Sequence, residues 1–254
     1  MKRFKNGKEL GMKRIFFISD IHGNYCLFKK LIDYVEFDAE KDELVIGGDM
    51  INGGPRSAEM LQWAKENSRK YPDSVHVIAG NHEEMMIWFM NELSPIWMEF
   101  GGEETIKSFK KVYGDENGWD IAEDYASWLE TLPLLHEDEH AIYTHAGIEP
   151  TADRESQPRE ILWLNTKELL EMDMQELRSW TEERPIYRGH NPQTTVRREG
   201  MFVHCDLAIE LYPEKEGALA LVDVLGSRYF SCTSEGEVSS HIIEGMENVS
   251  FSSK

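Results

Sequence analysis

Ile15-Phe16-Phe17-Ile18-Ser19-Asp20-Ile21-His22-Gly23-Asn24 is the stretch on which the fold turns. Its first four residues are β-branched or aromatic and read as a short strand, which stops at the polar Asp-Ile-His-Gly-Asn turn. Leu27, Phe28, Leu31, Ile32 and Val35 then recur at helical spacing. Moving outward, the same order returns. Residues 43–46 form a second apolar run ending at Gly47-Gly48-Asp49, and 58–68 reads as a helix with Met60, Leu61 and Ala64 on one face. Residues 74–79 form a third strand, broken by Gly80-Asn81-His82, and a helix follows in which Met85, Met86 and Met90 read as core. A strand–helix–strand–helix–strand order predicts a layered α/β core.

Farther along, 95–133 reads as mostly helical, with Trp97, Phe100, Ile106, Phe109, Trp128 and Leu129 as expected core. Short strands are expected at 134–135, 141–144, 185–188, 201–205, 218–224 and 228–231. The sequence contains no internal repeat and no linker. A single domain over 13–231 is therefore expected, with residues 1–12 as an N-terminal extension and 232–254 as a frayed, polar C-terminal tail.

The 254 residues carry 27 Lys plus Arg against 47 Asp plus Glu, a net charge of −20 with His neutral. Such a surface repels nucleic acid and anionic lipid at long range, so neither a nucleic-acid nor a membrane partner is expected. It leaves a phosphate substrate open if the site supplies local positive charge, as metal ions can. No apolar run approaches the roughly 18–20 residues of a membrane span. Three widely spaced cysteines, Cys26, Cys205 and Cys232, indicate neither a disulfide framework nor a zinc cluster, so the chain reads as cytoplasmic.

The polar residues of interest stand where apolar strands stop. Asp20 and His22 follow the first strand and Asp49 the second, while Asn81 and His82 follow the third. His145 follows 141–144 and His190 follows 185–188. In layered α/β structures the carboxyl ends of strands converge on one crevice, where ligands bind. Any one of these turns alone is ordinary capping chemistry; five in order are not. Oxygen and imidazole donors without thiolate suit Mn²⁺, Fe or Zn²⁺ better than Ca²⁺. His76, His136, His140, His204 and His241 lie in strands, on charged turns or in the tail, and read as structural or solvated.

Asp20-Ile-His22-Gly, Gly48-Asp49-(x)4-Gly54-Pro55, Gly80-Asn81-His82-Glu83, His145-Ala-Gly and Gly189-His190 together resemble the calcineurin-like metallophosphoesterase superfamily. Gly-Asn-His-Glu and Gly-His-Asn-Pro-Gln are similar to its bacterial and phage phosphoprotein-phosphatase branch, which includes diadenosine tetraphosphate hydrolases. The resemblance implies a four-layer α/β-β/α sandwich, two mixed sheets flanked by helices. It also implies two divalent metal ions, Mn²⁺ foremost and Fe or Zn²⁺ next. One would be held by Asp20, His22 and Asp49, and the other by Asp49, Asn81, His145 and His190, so that a metal-activated water attacks phosphorus in line. His82 resembles the family's general acid.

Two departures stand out. Branch members usually read Gly-Asp-x-x-Asp-Arg-Gly, whereas this chain reads Gly48-Asp49-Met50-Ile51-Asn52-Gly53-Gly54. Asn52 thus replaces the acid that orients the catalytic histidine, and Gly53 replaces an arginine that grips phosphate. Likewise Asn165 follows Leu162-Trp163-Leu164 where a second substrate arginine is expected. Losing guanidinium forks removes bidentate phosphate recognition. Either Arg56 or Arg188 supplies the missing charge, or the substrate carries less charge than a monoester, or turnover is weak. The leading expectation is hydrolysis of phosphate monoesters, including phosphoserine or phosphothreonine in proteins. The alternatives are a diadenosine tetraphosphate or nucleotide hydrolase, a phosphodiesterase, or a weakly catalytic member that binds phosphorylated ligands. Oligomeric state is not legible.

Overall fold

The computed structural model describes residues 13–209 and 217–246. The expected extension over 1–12 lies outside them. Four consecutive apolar residues form β1 (Ile15–Ile18) because both of its faces are covered. Phe16 and Ile18 pack under helices, while Ile15 and Phe17 face a second sheet. The same alternation sends Leu44 and Ile46 of β2 (Glu43–Ile46) to the helices and Val45 to the opposite sheet. Burying each such side chain contributes roughly 1.5–3 kcal/mol.

The remaining strands are β3 (Val75–Val77), β4 (Leu135–Glu137), β5 (Ile142–Thr144), β6 (Ile186–Arg188), β7 (Arg197–Glu199), β8 (Phe202–His204), β9 (Ala218–Asp223), β10 (Arg228–Thr233) and β11 (Val238–Ile242). They form a six-stranded sheet ordered β11-β10-β9-β1-β2-β3 and a five-stranded sheet ordered β4-β5-β6-β8-β7. Both are mixed: β1–β2–β3 and β5–β6–β8 run parallel, while the β1–β9, β9–β10, β10–β11, β4–β5 and β7–β8 pairings are antiparallel. α1 (Tyr25–Tyr34) and α2 (Ser57–Lys70) pack on the first sheet, and α3 (Asn81–Met90), α4 (Gly102–Tyr113) and α5 (Gly118–Leu129) complete the same hydrophobic core, α4 against α2 and α5 against α3. Leu169 of α6 (Thr166–Leu170) and Leu177 of α7 (Met174–Thr181) cover the second with Ile142, Ile186 and Phe202. Helices, sheet, sheet and helices make the four layers that the resemblance implied.

Two expectations are corrected. The residues read as a frayed tail from 232 onward include β11, which pairs with β10 from Val238↔Cys232 to Ile242↔Arg228, and Ile243 and Met246 are buried. A hydrophobic pattern could not reveal this strand, because it is a sheet edge whose affinity is main-chain pairing. Strand β7, Arg197-Arg198-Glu199, escaped notice for the same reason. Phe100, expected in the core, is 49% exposed.

Candidate metal centre and active site

β1, β2 and β3 end at one edge of their sheet, and the turns after them meet the turns after β5 and β6 across the sandwich. Asp20, His22, Asp49, Asn81, His82 and His190 line one cavity of about 310 Å³, together with Phe100, Pro192, Asp206 and Ala208. His145 lies fully buried beneath it. The backbone is bent to reach this arrangement. Asp20, His22, Asp49, Asn52 and His190 all hold positive φ, between 46° and 70°. Left-handed non-glycine residues cost of order 1–3 kcal/mol each and persist where the surrounding structure over-determines them, commonly at functional sites.

Asp49 is the hub. Its Oδ2 lies 3.4 Å from His145 Nε2, 3.8 Å from His22 Nε2 and 3.9 Å from His82 Nε2. Its Oδ1 accepts the His82 backbone N–H at 3.0 Å. Glu83, buried, fixes the turn that carries the hub by accepting from the backbone N–H groups of Asp49, Met50 and Gly80 at 2.7–2.9 Å. Burial and the Asp49 charge push Glu83 up to about 7. The imidazole tautomers follow from their partners. His145 Nδ1 faces the Gly47 carbonyl at 2.9 Å and His22 Nδ1 the Ile51 carbonyl at 3.2 Å, and a carbonyl only accepts. Both rings therefore donate from Nδ1 and, when neutral, turn the Nε2 lone pair toward Asp49. Burial lowers the pKa of His145 and brings that of His190 to about 3, favouring the neutral rings.

His145 Nε2 also lies 2.8 Å from Asn81 Oδ1. Three lone-pair-bearing atoms thus converge on buried side chains, an arrangement that calls for a cation. Asp20 tells the same story: burial and the charges of Asp206 and Asp49 push its pKa well above the usual carboxylate range. The ligand atoms of His22, Asp49 and His82, and those of Asp49, His145 and His190, fall within 4.8 Å of one another, with Asp49 in both groups. The donor set fits divalent transition metals.

Gly189 is required here, because a Cβ on it would run into the Asp20 carboxylate, to which the His190 N–H donates at 3.1 Å. We expect Gly189→Ala to displace Asp20 and lower manganese affinity at least about tenfold, a loss typical of disturbed ligand support, read by isothermal titration. Unchanged affinity would refute that role.

The expected substrate-binding residues do not gather at the cavity. Arg56 turns away, bonding Glu59 Oε1 and Cys26 Sγ and lying over the Tyr25 ring. Arg188 is fully buried against His204 Nδ1 and Asn191 Oδ1, at 3.0 Å each. Asn165 caps α6 by accepting the Lys167 and Glu168 N–H groups. No Lys or Arg stands among the described residues that line the cavity.

Asn52 does sit beside His82, its Nδ2 2.7 Å from His82 Nδ1. Its orientation is fixed from behind: Oδ1 accepts from Trp97 Nε1 at 3.0 Å and from Thr105 Oγ1 at 2.8 Å. An indole N–H is only a donor, so the amide nitrogen must face His82, whose Nδ1 then accepts. Asp206, Trp97 and Thr105 were not picked out from the sequence. Asp206 stands two residues past the end of β8, so the strand-end rule that picks out the candidate ligands also reaches it.

Carboxylate, amide and imidazole donors gathered around one aspartate at the strand ends of two stacked sheets define an α/β sandwich built around a candidate metal centre. The chain belongs to the calcineurin-like phosphoesterase family, whose profile matches residues 13–212. It is 28% identical over 142 residues to a symmetrical bis(5'-nucleosyl)-tetraphosphatase of Methylococcus capsulatus, covering 56% of this chain and 46% of that protein. The corresponding enzyme of Klebsiella pneumoniae is 32% identical over 143 residues, with 56% and 45% coverage. The chain thus spans a little under half the length of the curated relatives it matches. Among solved structures, a protein serine/threonine phosphatase from Saccharomyces cerevisiae superposes with a TM-score of 0.62 at 17% identity, covering 94% of this chain and 82% of that one. A cold-active protein-tyrosine phosphatase of Shewanella gives 0.57 at 18%, covering 91% and 81%. These likenesses concern the fold. Among the described residues no helix is long and apolar enough to cross a membrane.

Proposed function

We propose that the protein is a metal-dependent phosphoesterase that cleaves phosphoanhydrides of the dinucleoside tetraphosphate type in preference to phosphoprotein monoesters. Asp20, His22 and Asp49 hold one divalent ion, and Asp49, Asn81, His145 and His190 a second, with Mn²⁺ the first choice. Bound there, the cations supply Lewis-acid charge for phosphoryl oxygens and acidify water. The chain's own residues do the rest. Glu83 holds the Asp49 turn rigid, the carbonyls of Gly47 and Ile51 aim two imidazoles, and the cavity positions the phosphorus.

The observation that carries the preference is the Asn52 amide. Because Nδ2 donates to His82 Nδ1, the neutral ring carries its proton on Nε2, and Nδ1 faces an amide donor in place of a carboxylate that would favour the imidazolium. Protonating an alkoxide leaving group from such a ring is unfavourable. An anhydride leaves as a phosphate, whose second pKa is about 6, and needs no proton. Phe100 supports the reading. Half exposed on the cavity wall, with its ring centroid 6.1 Å from that of His82, it offers a face to a nucleobase. The relatives that share the sequence bear names of the same chemistry.

The test is a manganese assay on diadenosine tetraphosphate, an aryl phosphate, an aryl phosphodiester and a phosphothreonine peptide. We expect kcat/KM for the tetraphosphate to exceed that for the peptide by at least about 10²-fold, the usual worth of a general acid. A peptide hydrolysed as well as the tetraphosphate would overturn the preference.

A further inference from the structure

Glu43, His76 and His136 come together on the flank of the sandwich, away from the cavity. Glu43 opens β2 and His76 sits in neighbouring β3, while His136 is the middle of β4, in the other sheet. Glu43 lies six positions before Asp49, about 20 Å along extended chain. His76 Nε2 lies 3.2 Å and His136 Nε2 3.4 Å from the same oxygen, Glu43 Oε1. The other oxygen, Oε2, is taken by Lys13 Nζ at 2.6 Å. The two imidazoles stack with centroids 3.8 Å apart and 15° between planes, and all three candidate ligand atoms fall within 4.8 Å.

Two N–H donors sharing one carboxylate oxygen would sit at about 2.7–2.9 Å if charge-assisted. The observed separations are longer. Two ligands each about 2.0–2.1 Å from a tetrahedral zinc ion stand about 3.3 Å apart, which matches both distances. The side chains of His76 and His136 are 20% and 23% exposed, which leaves a route in for the ion and room for a water as fourth ligand.

We propose that Glu43 Oε1, His76 Nε2 and His136 Nε2 form a zinc site, separate from the candidate catalytic centre, that clips β4 of one sheet to β2 and β3 of the other. Both histidines read from sequence as structural or solvated, since nothing local links positions 60 residues apart; the sheet packing does.

The test compares the full chain with His76→Gln/His136→Gln, each stripped with chelator, loaded with zinc and desalted. We expect the wild-type protein to retain one more zinc per chain than the variant. With zinc about 100-fold above its dissociation constant, its thermal midpoint should rise about 5–10 °C more than the variant's. Equal zinc content and equal shifts, with both proteins folded by circular dichroism, would overturn the site. Should the double variant not fold, cobalt titration of Asp49→Asn decides the matter. One equivalent of four-coordinate cobalt, with its strong visible absorption, upholds the clip, and its absence overturns it.

Discussion

Asp49→Asn should yield a folded protein whose manganese-dependent phosphoesterase activity is at least about 10³-fold below wild type, with its manganese-induced thermal shift abolished. The size of the effect follows from where the two oxygens point. Oδ1 accepts the His82 backbone N–H, so an asparagine keeps its carbonyl oxygen there and the turn survives. Its NH₂ then replaces Oδ2, the atom that three imidazole Nε2 atoms surround at 3.4–3.9 Å. The Nε2 lone pairs of His145 and His22, which faced a negative charge, now face a donor that they can hydrogen-bond, and the space for a cation closes. Because Asp49 belongs to both candidate ligand groups, one substitution should disable both, whereas Asp20 stands in only one of the two proposed ligand sets. Activity on diadenosine tetraphosphate, manganese content and thermal midpoint with and without metal check this together. Retention of more than a tenth of the activity would remove Asp49 from the centre.

What the sequence reveals and conceals here divides along physical lines. Strand ends were legible because β1 and β2 are buried on both faces and β3 at Val75 and Val77, so an apolar run stops abruptly where the chain emerges at Asp20, Asp49 and Asn81. The convergence of those ends follows from parallel topology alone. Side-chain direction does not. Arg56 and Arg188 had the right charge near the right motifs, yet one pairs with Glu59 and the other is buried on His204 and Asn191. Phe100 looked like core because composition cannot separate a cavity wall from an interior. Edge strands β7 and β11 left no apolar alternation, since their pairing is carried by the main chain. The Asn52 substitution was visible, but its meaning was not: only the positions of Trp97 and Thr105, 45 and 53 residues away, fix which end of the amide meets His82.

That fixed orientation makes Asn52→Asp the sharpest test of specificity. We expect hydrolysis of a phosphothreonine peptide to rise about 10–100-fold, within the lower part of the range for general acid catalysis, while diadenosine tetraphosphate turnover changes less than about 3-fold. An aspartate fits without rearrangement. One oxygen keeps the bonds from Trp97 Nε1 and Thr105 Oγ1, and the φ of +70° at this position suits Asp as it suits Asn. The other oxygen takes the place of Nδ2, 2.7 Å from His82 Nδ1, and accepts where the amide donated. His82 then carries a proton on Nδ1, and the new charge favours the imidazolium, whose Nε2–H can be given to a departing alkoxide. The buried carboxylate costs stability of about 1–3 kcal/mol, read as a thermal midpoint lower by several degrees. Gain should therefore track leaving-group basicity: largest for the alkyl ester, smaller for an aryl phosphate, absent for the anhydride. A rise uniform across all three, or no rise for the peptide, would mean that the Asn52–His82 contact does not set the substrate preference.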